Sequence, residues 1–248
     1  MTDPPRPVTE HLEELRRRLF WMLGTWALCS AVAGLWVKDV FQILTGPAVN
    51  AVRARDYTLI AIAPPELFFT YVKSALLAGF LVSVPMTLFQ IWSFVSPGLY
   101  PHEKRLALPF VLSTSLLFAA GALFGYFIAF PFVFEYFLSL ESEMVRTSWT
   151  VQTVLAFMSR LYLAFGLAFQ LPVAIFFLSL AGIVTPEMLS RGRKYAIVIM
   201  FAVGAIITPP DVVSQVMLAL PLWALYESGI WLSRLVVRRR TRAAQVRE

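Results

Sequence analysis

From Leu106 to Phe134 the chain carries no charged residue, and comparable apolar runs recur along its length between short charged connectors. Roughly 20 apolar residues are what a helix needs to cross the hydrocarbon core of a bilayer. In lipid the backbone must satisfy its own hydrogen bonds, so only helices and closed barrels can span. A barrel would show alternating segments of about ten residues, and the runs here are longer and unbroken. With 58% hydrophobic and 15% charged residues and a mean hydropathy of +0.71, the expected class is an all-α polytopic membrane protein.

Apolar continuity places six helices at about 17–37, 66–94, 105–138, 152–181, 194–208 and 212–233 of one transmembrane domain, followed by a basic tail at 234–248. The third and fourth exceed what a bilayer requires, so they should tilt, protrude or bend at Pro109, Pro131 or Pro172. The fifth is short, and the TPPD that follows it at 208–211 reads as a tight turn into the sixth. Most of the 21 Lys and Arg fall on one side: Arg6, Arg16 to Arg18, Lys104, Arg105, Arg191, Arg193, Lys194 and the Arg-rich tail. The positive-inside rule then puts both termini in the cytoplasm. The connectors at 38–65 and 139–151 face outward, and those at 95–104 and 182–193 face inward. Arg16 to Arg18 before an apolar run resemble the start of a signal peptide, but the run is long and further spans follow, so it reads as a retained first span.

Several function classes lose support at this stage. Cys29 is the only cysteine, and His11 and His102 lie in separate polar segments, so no metal-ligand spacing is present. The net charge of +6 sits beside apolar runs, where it sets orientation and does not suggest nucleic acid. No Walker A, GxSxG or GxGxxG element appears, and no repeat of the secondary-transporter kind is visible.

Two polar stretches can carry recognition. In HLEELRRRL, residues 11 to 19, Val8, Leu12, Leu15, Leu19 and Met22 recur at helical spacing, which predicts an amphipathic helix at the membrane interface ahead of the first span. Glu13 can pair with Arg17 and Glu14 with Arg18 at i,i+4, each pair contributing about 0.2–0.5 kcal/mol on an isolated helix. Alternatively, one of the two acids binds a cationic ligand, and spacing does not choose between them. In FQIWSFVSPGLYPHEKRL, residues 89 to 106, Glu103 falls in the first turn of the next helix, where it suits the dipole, or serves as a second ligand acid. Phe89, Trp92, Phe94 and Tyr100 around it match an interfacial aromatic belt.

HLEELRRRL, FQIWSFVSPGLYPHEKR, GYFIAFPFVFEYF, AFGLAFQLPVAIFFLSLAGIVTPEML and ITPPDVVSQ, in that order over about residues 9 to 235, resemble the TatC family of the twin-arginine protein translocase. The resemblance implies a glove-like receptor, not an enzyme and without cofactor or metal, in the cell inner membrane. It would bind signal peptides carrying consecutive arginines. With TatA and TatB-type partners and other TatC copies it would pass folded proteins outward using the protonmotive force. Of the acids, the resemblance selects Glu14 and Glu103 as ligands, and extends the signal-peptide site to Arg17, Gln90 and Phe94. A carboxylate suits this task because guanidinium is always charged and presents a planar fork, which lysine lacks.

Polar groups inside apolar helices are costly and mark partner contacts or function. Gln170 lies in the fourth span where the family often has an acid, which keeps hydrogen bonding without charge and predicts a polar partner-helix contact or a water cluster. Asp211 after the two prolines suits an N-cap, with a structural or partner role implied by the resemblance. Pro47 matches a proline of the family's first outward loop, and Pro85 should bend the second helix. Lys73, Glu66 and Arg160 read as snorkelling residues. The competing reading, an ion-coupled solute transporter using Lys73, Glu135, Gln170 and Glu227, lacks a paired midplane site.

Overall fold

The structure is a computed structural model that describes residues 8–54, 58–95, 107–142, 147–207 and 212–245. The described residues are helical, without strands beyond one isolated bridge between Ile60 and Thr150. The helices are α1 (Val8–Leu35), α2 (Val37–Arg53), α3 (Pro64–Val95), α4 (Ala107–Phe124), a π-helical turn (Gly125–Ala129), α5 (Phe130–Ser139), α6 (Val151–Ala168), α7 (Leu171–Leu180), α8 (Pro186–Ile207) and α9 (Val212–Gln245). Five stretches are long and apolar enough to cross a membrane: Leu12–Leu35, Pro64–Phe94, Leu108–Ser139, Val151–Leu180 and Gln215–Leu235. Two compact units divide the chain, residues 1–45 with 61–116 and residues 46–60 with 117–248, so that α2 and α4 each pass from one unit to the other.

In the first unit α1 lies against α3, and a missing side chain sets the approach. A Cβ on Gly79 would stand 2.5 Å from the Ser30 Cα and nearer still to the Ser30 amide nitrogen. Apolar burial gives little drive between helices surrounded by lipid tails, so close backbone approach at small residues does that work. Below this crossing Trp26 Nε1 donates to the Leu76 carbonyl at 2.9 Å, and its ring meets Phe80 edge-on. Towards its N-terminus α1 leaves Leu12, Leu15 and Leu19 exposed.

The second unit has a core of Phe130, Phe134, Leu155, Met158, Leu161 and Phe165. Here too close approach is built on small residues. A Cβ on Gly229 would stand 2.5 Å from Ile175 Cδ1, and Ser179 Oγ donates to Ser233 Oγ at 2.7 Å between α7 and α9. At the base of the unit Ile60 and Trp149 to Val151 exchange backbone hydrogen bonds at 3.0 Å, and Thr150 caps α6 by accepting from the Thr153 amide.

Two of the three expected bends fall at proline. Pro131 has no N–H to return to the Phe127 carbonyl, and the helix ahead of it widens so that Phe130 N–H donates to the Gly125 oxygen. Pro172 likewise leaves the Ala168 carbonyl without its helical donor. Gln170 N–H tightens back to the Leu167 oxygen at 2.9 Å, and the helix restarts as α7. Around Pro109 and Pro85 the helices continue uninterrupted.

Four boundaries differ from the sequence reading. α1 runs unbroken from Val8, so the amphipathic stretch and the first apolar run share one helix. The expected connector at 38–65 holds α2, which buries Leu44, Thr45, Ala48 and Val52 on one face, and Pro47 lies inside that helix. α8 starts eight residues or so before 194, because Thr185 caps it by accepting from the Met188 amide and Pro186 and Glu187 fill its first turn. Its uncharged run, Tyr195–Ile207, is nonetheless about 20 Å long at 1.5 Å per residue. Finally, α9 continues as helix through the basic segment from 234 to Gln245. Glu66 also does more than snorkel: it accepts from the Ile62 amide at 2.7 Å and so closes the start of α3.

Candidate functional site

Glu14 and Arg18 stand one helical turn apart on α1, and the crossing with α3 brings both beside the end of that helix. The Glu14 Oε1 accepts from Arg18 Nε at 3.1 Å and also from Arg18 Nη2, while Arg18 Nη1 donates to the Gln90 carbonyl at 3.4 Å. The pair is largely withdrawn from solvent, with 14% of the arginine side chain and 23% of the glutamate side chain exposed. Gln90 is buried beneath it, and the neighbouring Trp92 is buried and stacks on Phe110 with ring centres 4.2 Å apart. Phe94, one turn further along α3, is half-buried. The site therefore consists of a carboxylate, a guanidinium and a backbone carbonyl held by two helices.

Several residues singled out in the sequence meet here and others do not. Glu14 and Gln90 are brought together through Arg18. Glu13 and Arg17 are both exposed, and the ion pair drawn between them from spacing is not formed. Glu103 and Asp211 lie outside the described residues. Lys73 is exposed on α3, and Gln170 is half-buried at the break between α6 and α7. Arg160 is exposed on α6 and lines an apolar cavity among α6, α8 and α9. Among the described residues no cluster of His, Cys, Asp and Glu could hold a metal ion.

A second forked pair escaped the sequence reading. Arg193 of α8 donates from Nε to Glu227 Oε1 at 2.7 Å and from Nη2 to Oε2 at 2.9 Å, and Tyr226 Oη donates to the Leu189 carbonyl at 2.9 Å. The hydrogen bonds that Arg193 donates to Glu227, and then the charge of that carboxylate, push the Arg193 pKa above its usual value, so the pair does not open by loss of the guanidinium proton. Glu227 is thereby committed to joining α8 to α9. Gln215 does similar work, donating from Nε2 to the Phe201 carbonyl at 2.7 Å. Replacing Glu227 with Gln is expected to lower the unfolding temperature in detergent slightly. Glu227→Lys, which sets like charges face to face, should lower it much more when both are followed by scanning fluorimetry.

Comparison with known proteins matches the described geometry to a family. The family model for the Sec-independent protein translocase protein (TatC) matches residues 10–221. The TatC protein of Desulforapulum autotrophicum is 42% identical over 224 residues, covering 90% of this chain and 83% of that protein. That of Aquifex aeolicus is 41% identical over 236 residues, covering 94% and 97%. A crystal structure of the twin-arginine translocase receptor TatC matches with a TM-score of 0.82 at 40% identity, over 92% of this chain and 99% of that one. The chain belongs to the TatC family of Sec-independent protein translocase components, a non-enzymatic, multi-pass membrane family of the protein-transport machinery.

Proposed function

We propose that this chain is the signal-peptide receptor of a twin-arginine translocase, with Glu14 and Glu103 as the acids that bind the paired arginines. The observation that carries the reading is the forked guanidinium pair at Glu14. Two N–H groups of an arginine donate to the Glu14 carboxylate and a third to the backbone carbonyl of the buried Gln90, which supports reading this acid as an acceptor of guanidinium. The solved relative with 40% identity is described as a twin-arginine translocase receptor. Arg17, exposed next to Glu14, is assigned to repel stray cationic segments and orient the ligand's backbone.

In this reading the chain spans the inner membrane six times, α8 being the short fifth crossing, with both termini in the cytoplasm as the positive-inside rule expects. The run Tyr195–Ile207, about 20 Å against a hydrocarbon core of about 30 Å, is assigned to thin the bilayer locally. TatA and TatB-type single-span proteins and further copies of this chain are the assigned partners. Gln170, Asp211, Pro47 and Lys73 are the residues proposed to meet them or to hold the surfaces that do. The solute-transporter alternative loses one of its candidate groups, since Glu227 is held by Arg193.

The test is export. A strain lacking its own TatC, supplied with this chain and its partner genes, should export a folded reporter behind an Arg-Arg signal peptide and retain one behind Lys-Lys. Retention of the Arg-Arg reporter in that strain, or equal export of the Arg-Arg and Lys-Lys reporters, would contradict the reading. A strain in which this chain alone is disrupted that loses solute uptake while still exporting the reporter would favour the transporter.

A further inference from the structure

Glu14 is already occupied by an arginine of its own chain. All three nitrogens of the Arg18 guanidinium are engaged, Nε and Nη2 by Glu14 Oε1 and Nη1 by the Gln90 carbonyl. The side chain is less exposed than that of its carboxylate partner, at 14% against 23%. An i,i+4 pair on a helix surface is normally solvated and interchangeable between Lys and Arg. This one is pressed against the end of α3 and uses the planar fork and the third donor, which lysine does not have.

We propose that Arg18 is an internal stand-in for the ligand's arginine, and that a signal peptide takes Glu14 by exchanging its guanidinium for that of Arg18. This rests on the reading of Glu14 as a ligand acid, and it makes Arg18 a residue that sets the choice of arginine over lysine. Exchange with an arginine ligand replaces one forked pair by another, and the displaced Arg18 regains water. Exchange with a lysine ligand replaces the fork by a single ammonium contact, so Arg18 competes it away. The selection comes from a competing internal contact added to the attraction of the acid. In the absence of substrate the same contact keeps other cationic segments from the carboxylate.

The experiment uses the full chain in lipid nanodiscs with a fluorescent Arg-Arg signal peptide and its Lys-Lys counterpart. Arg18→Gln is expected to bind the Arg-Arg peptide about two- to fivefold more tightly, the range set by removing one partly exposed competing ion pair. Its preference over Lys-Lys should shrink. Weaker Arg-Arg binding with the preference unchanged would overturn the proposal and leave Arg18 a role in shaping α1. A measurement on the wild-type chain covers the case in which the variant folds poorly. By ¹⁵N NMR the Arg18 Nε–H should exchange slowly with solvent alone and quickly when the Arg-Arg peptide is saturating, and protection unchanged at saturation overturns the exchange. Glu14→Gln separates the two levels. Wild-type affinity in that variant removes the ligand role of Glu14 and the proposal with it. Lost affinity there, with no change of preference in Arg18→Gln, overturns the proposal alone.

Discussion

Glu14→Ala is expected to weaken binding of an Arg-Arg signal peptide by about 10- to 100-fold, the effect of losing hydrogen bonds to a charged group of about 1.5–3 kcal/mol. The substitution removes the acceptor and leaves Arg18 held only by the Gln90 carbonyl, so the charge on this part of α1 shifts from balanced to net positive and disfavours the ligand. Glu14→Asp should recover part of the binding, because the charge survives on a shorter stem. Glu103→Ala should reduce binding by a similar factor and Glu103→Gln nearly as much, since the amide keeps an acceptor oxygen but loses the charge that strengthens a guanidinium contact. Equilibrium binding of a labelled peptide to the purified variants reads both effects, and a change of less than twofold at Glu14 would remove it from the site.

Gly79→Ala should damage the same site from a distance along the helices. The new Cβ would meet the backbone of Ser30, not the end of a flexible side chain, so α1 must move away from α3. Overpacking of this kind commonly costs about 1–3 kcal/mol. Its functional consequence is larger, because Arg18 reaches Gln90 only while the two helices stay in contact. Spin labels on α1 and α3 should report a longer separation in Gly79→Ala, with export of an Arg-Arg reporter strongly reduced. Ser30→Gly should fail to rescue it, since the obstructing Ser30 atoms include the amide nitrogen and Cα. Rescue by Ser30→Gly, or an unchanged separation, would show that this crossing does not position the site.

The helical class and the long apolar stretches could be read from hydropathy, because lipid demands an uninterrupted, self-satisfied backbone. The bends at Pro131 and Pro172 followed from the missing amide of proline, although the π-helical turn at Gly125–Ala129 depends on how the freed carbonyls are satisfied, which composition does not specify. α2 and the first half of α8 were missed for one reason. Apolar continuity does not register helices with polar faces, whereas the spacing of Leu44, Ala48 and Val52 and the capping run Thr185, Pro186, Glu187 carry the signal. At the site, the i,i+4 spacing of Glu14 and Arg18 held their pair in advance. The part played by Gln90 was not legible, because it comes through a backbone carbonyl that the α1–α3 crossing brings near. The Arg193–Glu227 pair joins residues 34 apart in the chain, so only the packing of α8 on α9 makes them neighbours.

The central claim is that Glu14 reads arginine in a signal peptide, and a photoreactive residue at the neighbouring, exposed position 13 tests it most directly. On illumination the full chain in membranes should capture a precursor with an Arg-Arg signal, fail to capture its Lys-Lys counterpart, and lose capture of the first when Glu14→Ala is added. Equal capture of both precursors, or capture of the Arg-Arg precursor that Glu14→Ala leaves unchanged, would contradict the account.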